Sequence, residues 1–499
     1  MEKQPPVVRT RFAPSPTGFL HIGSLRTALY SWLLARQHGG QFILRLEDTD
    51  LKRYVPGAAS AIYNGLKWAG LNYDEGPDIE GPYGPYVQSQ RLEIYKKHAH
   101  ELVEKGLAYY CFCDEATLEK IRQEQIAAKK APKYDRRCLN LKKTDVEKKL
   151  KENTPHVIRM KIPENRKIEF YDLVRGKMSY NSGEIDDQIL LKSDGYPTYH
   201  LAVVVDDHLM NISHVTRTEE WLPSTPKHIL LYEFFGWEAP QWAHLPLLLN
   251  ADKTKMSKRK GDVTLENYIK KGYLPEAMIN FLAFLGWNPG TEKEIYSIDE
   301  LIKDFSLNKV HKAGAVFNAE KLNWLNSYYI KQIEPDKLTE ICIPYLEEAD
   351  LIKKNGSEWE IADGIKKDLK WIKKIAALEK DRLEFLAQIG ENAKFFFKLP
   401  AYEKELLIWK ETPAEKIKES LEKVKTIISE INEKDFSKEK IQEIIMPEAE
   451  KIGNRGAMLW PLRVALSGQK NSPGPFEIAE ILGKDESKKR IEKAIEKIV

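Results

Sequence analysis

Two short segments carry residue types that can hold a nucleoside triphosphate: Pro16-Thr17-Gly18-Phe19-Leu20-His21-Ile22-Gly23-Ser24 near the start, and Lys255-Met256-Ser257-Lys258-Arg259 near the middle. Gly18 and Gly23 remove side-chain bulk where a backbone can approach a nucleotide, and the N–H groups of a helix start favour an anion there. His21 adds a donor at the same spot. The second segment, with Lys253 and Lys260 beside it, can fold over phosphates and neutralise charge as it develops. Each segment alone says little, because a histidine at a helix start is usually a capping group and a lysine run is usually a solvated face. In this order, each beside a strand signal, they point to a split site for the triphosphate of ATP.

The elements that must position them can be read from the flanks. Val7 to Ala13 is an apolar-rich run, and Leu25, Ala28, Leu29, Trp32 and Leu33 recur on one helical face before Gly39-Gly40 stops it. Strand, tight turn and helix are expected there. The run His244 to Leu249 reads as a buried strand that opens into the lysine loop, Phe42 to Leu46 as another that leads to Glu47, and Leu201 to Val205 as a third. Strand and helix signals alternate over 1–95 and resume at 201–252, which predicts one α/β nucleotide-binding domain, interrupted by an insertion over 96–200. The insertion has a basic helical stretch near Lys120 to Lys133 and a strand-like run at Val157 to Ile162. Residues 253–322 hold the lysine loop and a helix near Leu274 to Gly286, with proline in its first turn. From 323 to 499 the chain is helix-rich and Lys/Glu-rich, and two helical subdomains are expected, divided between 385 and 415.

A chain of 499 residues has length for several domains with buried cores. Its 31% charged and 42% hydrophobic residues fit a globular protein, and a net charge of +3 does not by itself imply nucleic acid. No apolar run reaches the roughly 18 residues of a membrane span, so no membrane partner is expected. The N-terminus lacks a secretory apolar segment, and four cysteines argue for a reducing compartment. The expected location is the cytoplasm.

Several ordered stretches carry a resemblance. Arg11 to Gly18 (RFAPSPTG), Leu44 to Asp50, Gly195 to His200, Val204 to His208 and Arg217 to Trp221 are similar to the bacterial-type glutamyl-tRNA synthetases, a family of class I aminoacyl-tRNA synthetases. Related glutaminyl enzymes carry Glu and Asn in place of Ser and Thr in the first of these. The resemblance spans nearly the whole chain and implies a Rossmann-type catalytic domain, an inserted domain that grips the acceptor end of tRNA, a stem-contact region, and an all-α anticodon-binding region that includes Gly453 to Gly468. It also implies L-glutamate, ATP and tRNA(Glu) as substrates, Mg2+ with the ATP, and a monomer. ATP is implied to meet Thr17, Gly18, His21, Gly23, Glu220, Lys255, Met256, Ser257, Lys258 and Arg259, with His21, Lys255 and Lys258 stabilising phosphate charge.

A glutamate substrate has two carboxylates and an ammonium, so its site needs fixed cations and an acid. Arg11 and Arg217 present planar forks to carboxylates, Glu47 can accept from the amine and Tyr199 offers a hydroxyl donor. The resemblance adds Ala13 and Ser15 to this set. A glutamine amide would leave buried arginine charge unpaired, which discriminates without editing.

Cys111, Cys113 and Cys138 could give zinc three thiolates. Zinc-bearing relatives have a histidine two residues past the last cysteine, where this chain has Asn140; Tyr134 is the substitute ligand seen in some shorter relatives. Bound zinc and three reduced structural thiols both stand as readings. The alternatives to a glutamate–tRNA ligase are an enzyme that also charges tRNA(Gln), a relative that glutamylates a modified tRNA base, a glutaminyl enzyme, and a non-enzymatic tRNA-binding regulatory protein. The last would be expected to lose His21 or Lys258, and both are present.

Overall fold

A computed structural model describes residues 7–256 and 264–498. The chain divides into two compact units, Met1–Tyr268 with Pro275–Lys321, and Ile269–Leu274 with Leu322–Val499.

In the first unit the fully buried strand Arg9–Phe12 pairs in parallel with Gln41–Leu44, Arg9 opposite Gln41 and Phe12 opposite Leu44. Parallel neighbours need a crossover, and the helix Ile22–Gln37 supplies it. This helix is buried around most of its circumference, because the helices Pro275–Ala283 and Ile298–Asp304 cover the side that the strands do not. Polar groups inside it are therefore obliged to find partners: Tyr30 donates to the carbonyl of Ala283 at 2.9 Å, and Arg26 donates to those of Leu285 (2.9 Å) and Pro246.

A four-stranded sheet runs in the order Gly176–Asn181, Lys167–Asp172, Gln241–Leu245, His214–Thr218. Its last two strands are parallel, and Asp172 joins the hairpin to them opposite Trp242. The hairpin thus extends the sheet of His214–Thr218 and Gln241–Leu245, although its residues fall within the 96–200 insertion. A separate antiparallel sheet of Ala108–Cys111, Val157–Met160 and Ile189–Leu191 belongs to the insertion.

The run Leu201 to Val205, expected as a strand, is instead the centre of the helix Tyr199–Leu209. A short apolar run does not reveal its own period. Here Pro197-Thr198 leads into a helix whose residues Leu201 to Asp207 are all buried, so β-branched content reflects burial on every side.

The second unit is mostly helical, from Leu322 onward in the helix Ala319–Gln332 to the helix Lys484–Ile498. Its Lys/Glu-rich sequence concealed a small antiparallel sheet of Lys353–Asn355, Glu358–Glu360 and Lys366–Lys367. One core runs from Ile330 to Ile498 across the 385–415 interval where a division was expected. Trp371, whose indole N–H donates to the Ile481 carbonyl at 2.8 Å, ties its early and late helices together.

Gly40 makes the first parallel pair possible: a β-carbon there would lie 1.9 Å from the Val8 carbonyl oxygen, which accepts from Gln41 N at 2.9 Å. The substitution Gly40→Ala is expected to destabilise the protein by about 3 kcal/mol, read as a lowered urea midpoint. An unchanged midpoint would show that the turn can shift freely.

Candidate active site

The carboxyl ends of Arg9–Phe12, Gln41–Leu44 and His214–Thr218 open onto a cavity of about 1470 Å³ in the first unit. Such strand ends are where open α/β sheets receive ligands. The cavity is lined by Arg11, Ala13, Ser15, Thr17, Gly18, His21, Gly23, Glu47, Tyr199, Arg217, Glu220, Lys255 and Met256, and by Cys111 and Cys113 at its edge. Ser257, Lys258 and Arg259 lie outside the described residues.

Arg11 is buried and compensated. Its Nε donates to Asp207 Oδ1 at 3.1 Å; Arg45, itself without exposure, donates to the same oxygen at 2.8 Å and to Glu47 Oε1 at 3.0 Å. Two arginines and two carboxylates alternate. Burial opposes the charge on Asp207, but Arg11 and Arg45 outweigh it and hold the carboxyl below its usual range. Glu47 is tipped the other way: burial pushes its carboxyl up against the pull of Arg45 and Arg11. A ligand ammonium beside Glu47 would favour the charged form.

Arg217 is buried in a different shell. Nε donates to His244 Nε2 (2.9 Å), one terminal nitrogen to the Tyr199 hydroxyl (3.3 Å) and His228 Nδ1 (3.1 Å), and the other to Thr225 Oγ1 (2.8 Å). Trp242 lies 4.9 Å beneath the guanidinium. Burial pushes the pKa of His228 well below its usual value, with Arg217 adding to the effect, so this imidazole stays neutral. Among the described residues no carboxylate lies within ion-pair distance of Arg217. A buried cation with neutral partners is a receptor for an anion.

In the same cavity His21 precedes the helix Ile22–Gln37, and its Nδ1 accepts the N–H of Gly23 at 2.9 Å. That bond fixes the neutral ring proton on Nε2. Gly23 leaves the room for it, since a β-carbon would stand 3.1 Å from Nδ1. Capping and phosphate binding, alternatives in the sequence, are compatible because they use different ring nitrogens. Lys255 is half exposed and paired with Glu220. Met256 is buried, its N–H donating to the Leu248 carbonyl at 3.0 Å.

Cys111, Cys113 and Cys138 bring three sulfurs within 4.8 Å of one another. The Tyr134 hydroxyl lies 3.3 Å from Cys111 Sγ and 3.5 Å from Cys113 Sγ. Three thiols and a phenol converging on one point fit a four-coordinate zinc ion.

Sequence reading assigned no role to Arg45 and Asp207, though both stand in stretches that carried the resemblance, and it did not single out Asp172, Thr225, His228 and His244. Asp207 meets Arg11 and Arg45, His244, His228 and Thr225 meet Arg217, and Asp172 acts one step further out through His244. Only Arg45, next but one to Glu47, and Asp207, in an acidic pair on an apolar run, gave a local signal.

Comparison with known proteins is consistent along the chain. The family described as tRNA synthetases class I (E and Q), catalytic domain, matches residues 7–324, and the anticodon binding domain family matches 337–495. A glutamate–tRNA ligase of Alkaliphilus metalliredigens is 46% identical over 99% of both chains, and one of Clostridium kluyveri 45% over 98% of both. Among solved structures, a glutamate–tRNA ligase from Elizabethkingia meningosepticum, in complex with its amino acid, is 41% identical and superposes with a TM-score of 0.87 over 99% of this chain and 100% of that one.

Replacing Asp207 by Asn leaves Arg11 and Arg45 short of a buried counter-charge and is expected to cost about 3–5 kcal/mol of stability near neutral pH. Because the folded-state pKa of Asp207 is depressed, its contribution is present above the unfolded value of about 3.9 and is lost as pH falls below it. The difference between the wild type and Asp207→Asn in urea unfolding should therefore narrow as pH falls from about 4 towards the lower folded-state value. A difference that does not change over that range would contradict the charge balance described.

Proposed function

The chain belongs to the class I tRNA synthetases for glutamate and glutamine, and we propose that it is a glutamate–tRNA ligase whose cavity activates L-glutamate with ATP and transfers it to tRNA(Glu). The observation that carries this reading is the pair of buried guanidiniums, Arg11 and Arg217, set in one cavity with Glu47 and with the His21 end of a helix.

In the first step an α-carboxylate oxygen of glutamate attacks the α-phosphorus of ATP, the bond to the β-phosphate oxygen breaks, and pyrophosphate leaves. No protein nucleophile is required. Arg11, Arg217 and Tyr199 hold carboxylate groups, Glu47 accepts from the ammonium, and Ala13 and Ser15 shape the pocket wall. Thr17, Gly18 and Gly23 let the phosphates approach the helix start, where His21 Nε2–H donates. Lys255, Met256, Ser257, Lys258 and Arg259 cover the triphosphate. Lys255 exchanges Glu220 for phosphate oxygens, and Glu220 is then free for the nucleoside. Mg2+ accompanies ATP as its counter-ion. Fixed donors aimed at developing phosphate charge need no reorganisation during reaction.

In the second step a ribose hydroxyl of the terminal adenosine of tRNA attacks the glutamyl carbonyl, the acyl–phosphate C–O bond breaks and AMP leaves. The insertion, 96–200, presents the acceptor end, 253–322 follows the stem and 323–499 reads the anticodon. Cys111, Cys113, Cys138 and Tyr134 would hold zinc, which would cross-link the insertion without taking part in the chemistry. Among the described residues no helix is long and apolar enough to cross a membrane. The four free thiols accord with a reducing compartment, the cytoplasm, and the monomer is what the family resemblance implies.

Lys258→Ala and His21→Ala should each lower the rate of tRNA-dependent ATP–pyrophosphate exchange roughly 100- to 1,000-fold while tRNA binding, measured by filter retention, is nearly unchanged. Charging of tRNA(Glu) that survives intact in both variants would remove the phosphate roles. Separately, elemental analysis of freshly purified protein should find one zinc per chain, and Cys138→Ser should abolish it. Protein that is folded and zinc-free without chelation would show three structural thiols instead.

A further inference from the structure

The orientation of Arg217 is set by a chain of contacts that begins at a residue with no part in the reaction above. Asp172 ends the strand Lys167–Asp172 and is fully buried. Its Oδ1 accepts from the backbone N–H groups of Val174 (2.9 Å) and Arg175 (2.8 Å). Its Oδ2 accepts from the backbone N–H of His244 (3.1 Å) and from His244 Nδ1 (2.5 Å). A carboxylate with only donors around it can only accept, so the imidazole proton sits on Nδ1. The Nε2 lone pair is then the acceptor for Arg217 Nε–H at 2.9 Å.

The opposite tautomer would set N–H against N–H. Burial also pushes the pKa of His244 down to about 4 against the pull of Asp172, so the ring remains neutral beside the guanidinium. This arrangement gives Arg217 a firm seat without a counter-charge. The negative charge is one imidazole away: near enough to fix a tautomer, too far to form an ion pair with the arginine. Thr225 closes the seat, its Oγ1 3.1 Å from His244 Nε2 and 2.8 Å from Arg217.

We propose that Asp172 and His244 are positioning residues of the amino-acid site: Asp172 holds the tautomer of His244, which aims the Arg217 guanidinium at a substrate carboxylate and leaves its charge unspent. The proposal rests on the reading that Arg217 receives a carboxylate of glutamate. An aspartate that orients a histidine in one tautomer is a general device, and its replacement by asparagine is the general test. Here the test is sharp. In Asp172→Asn the carbonyl oxygen must stay with the Val174 and Arg175 N–H groups, so the amide NH2 faces His244. Nδ1 becomes an acceptor, and the ring proton moves to Nε2 against Arg217.

The experiment is tRNA-dependent ATP–pyrophosphate exchange with the full chain, together with 15N spectra of histidine-labelled protein. For Asp172→Asn the KM for glutamate is expected to rise at least about 10-fold, while kcat at saturating glutamate and the KM for ATP stay within about twofold. The His244 resonances should exchange, from protonated Nδ1 to protonated Nε2. A glutamate KM within about twofold of wild type, or a parallel loss in every parameter without tautomer exchange, overturns the proposal. If Asp172→Asn does not fold, His244→Gln and His244→Asn decide. The glutamine carbonyl reaches the place of Nε2 and can accept from Arg217, whereas asparagine is too short, so glutamate KM should be roughly 10-fold lower in His244→Gln. Equal values overturn the proposal. Arg217→Lys separates the two layers: an unchanged glutamate KM there refutes the role of Arg217 itself, while a raised KM there with none in Asp172→Asn refutes only the positioning chain.

Discussion

A guanidinium withdrawn from water must either meet a carboxylate or be held by neutral acceptors, and the catalytic unit uses both solutions in one cavity. Arg11 and Arg45 share Asp207, and Arg45 also meets Glu47, so their charges are largely balanced within the protein. Arg217 is held by His244, His228, Tyr199 and Thr225, none of which carries charge at neutral pH. Burying such a cation costs free energy, and the structure supplies the means to bear it. Strands His214–Thr218 and Gln241–Leu245 lie in parallel with Arg217 opposite His244, and the helix Thr225–Phe235 brings Thr225 and His228 to the same point. The pocket is thereby suited to an anion and poorly suited to an amide of the same shape.

The other half of the chemistry depends on the backbone. The crossover helix Ile22–Gln37 starts at the cavity, and His21 satisfies one of its orphan N–H groups through Nδ1. That leaves the proton on Nε2, the atom to which the proposed function gives a phosphate role. Preorganised donors of this kind lower the cost of developing charge more than mobile ones do. The buried Arg26, reaching the carbonyls of Leu285 and Pro246, anchors the same helix to the segment that leads into the lysine loop.

Local pattern made much of this legible and tertiary contact hid the rest. The strand, turn and helix around His21 could be read from apolar spacing and glycine because each signal lies within a dozen residues. Leu201 to Val205 could not, since an apolar run buried on all sides has no period to show. The Gly176–Asn181 hairpin lies in the interval assigned to the insertion, and only the pairing of Asp172 with Trp242 attaches it to the catalytic sheet. Arg11, Glu47, Tyr199 and Arg217 were legible through motif stretches and the charge needs of a dicarboxylate. The residues that orient them were not, because Asp172, His244 and Thr225 acquire meaning from a donor–acceptor order that exists only in three dimensions.

The central claim is that an uncompensated buried guanidinium selects an acid over its amide. The direct measurement is tRNA-dependent ATP–pyrophosphate exchange with glutamate and with glutamine as competing amino acids. The account predicts kcat/KM for glutamate at least about 10,000-fold above that for glutamine. A ratio below about 10 would show that the pocket reads shape without charge, and would contradict it.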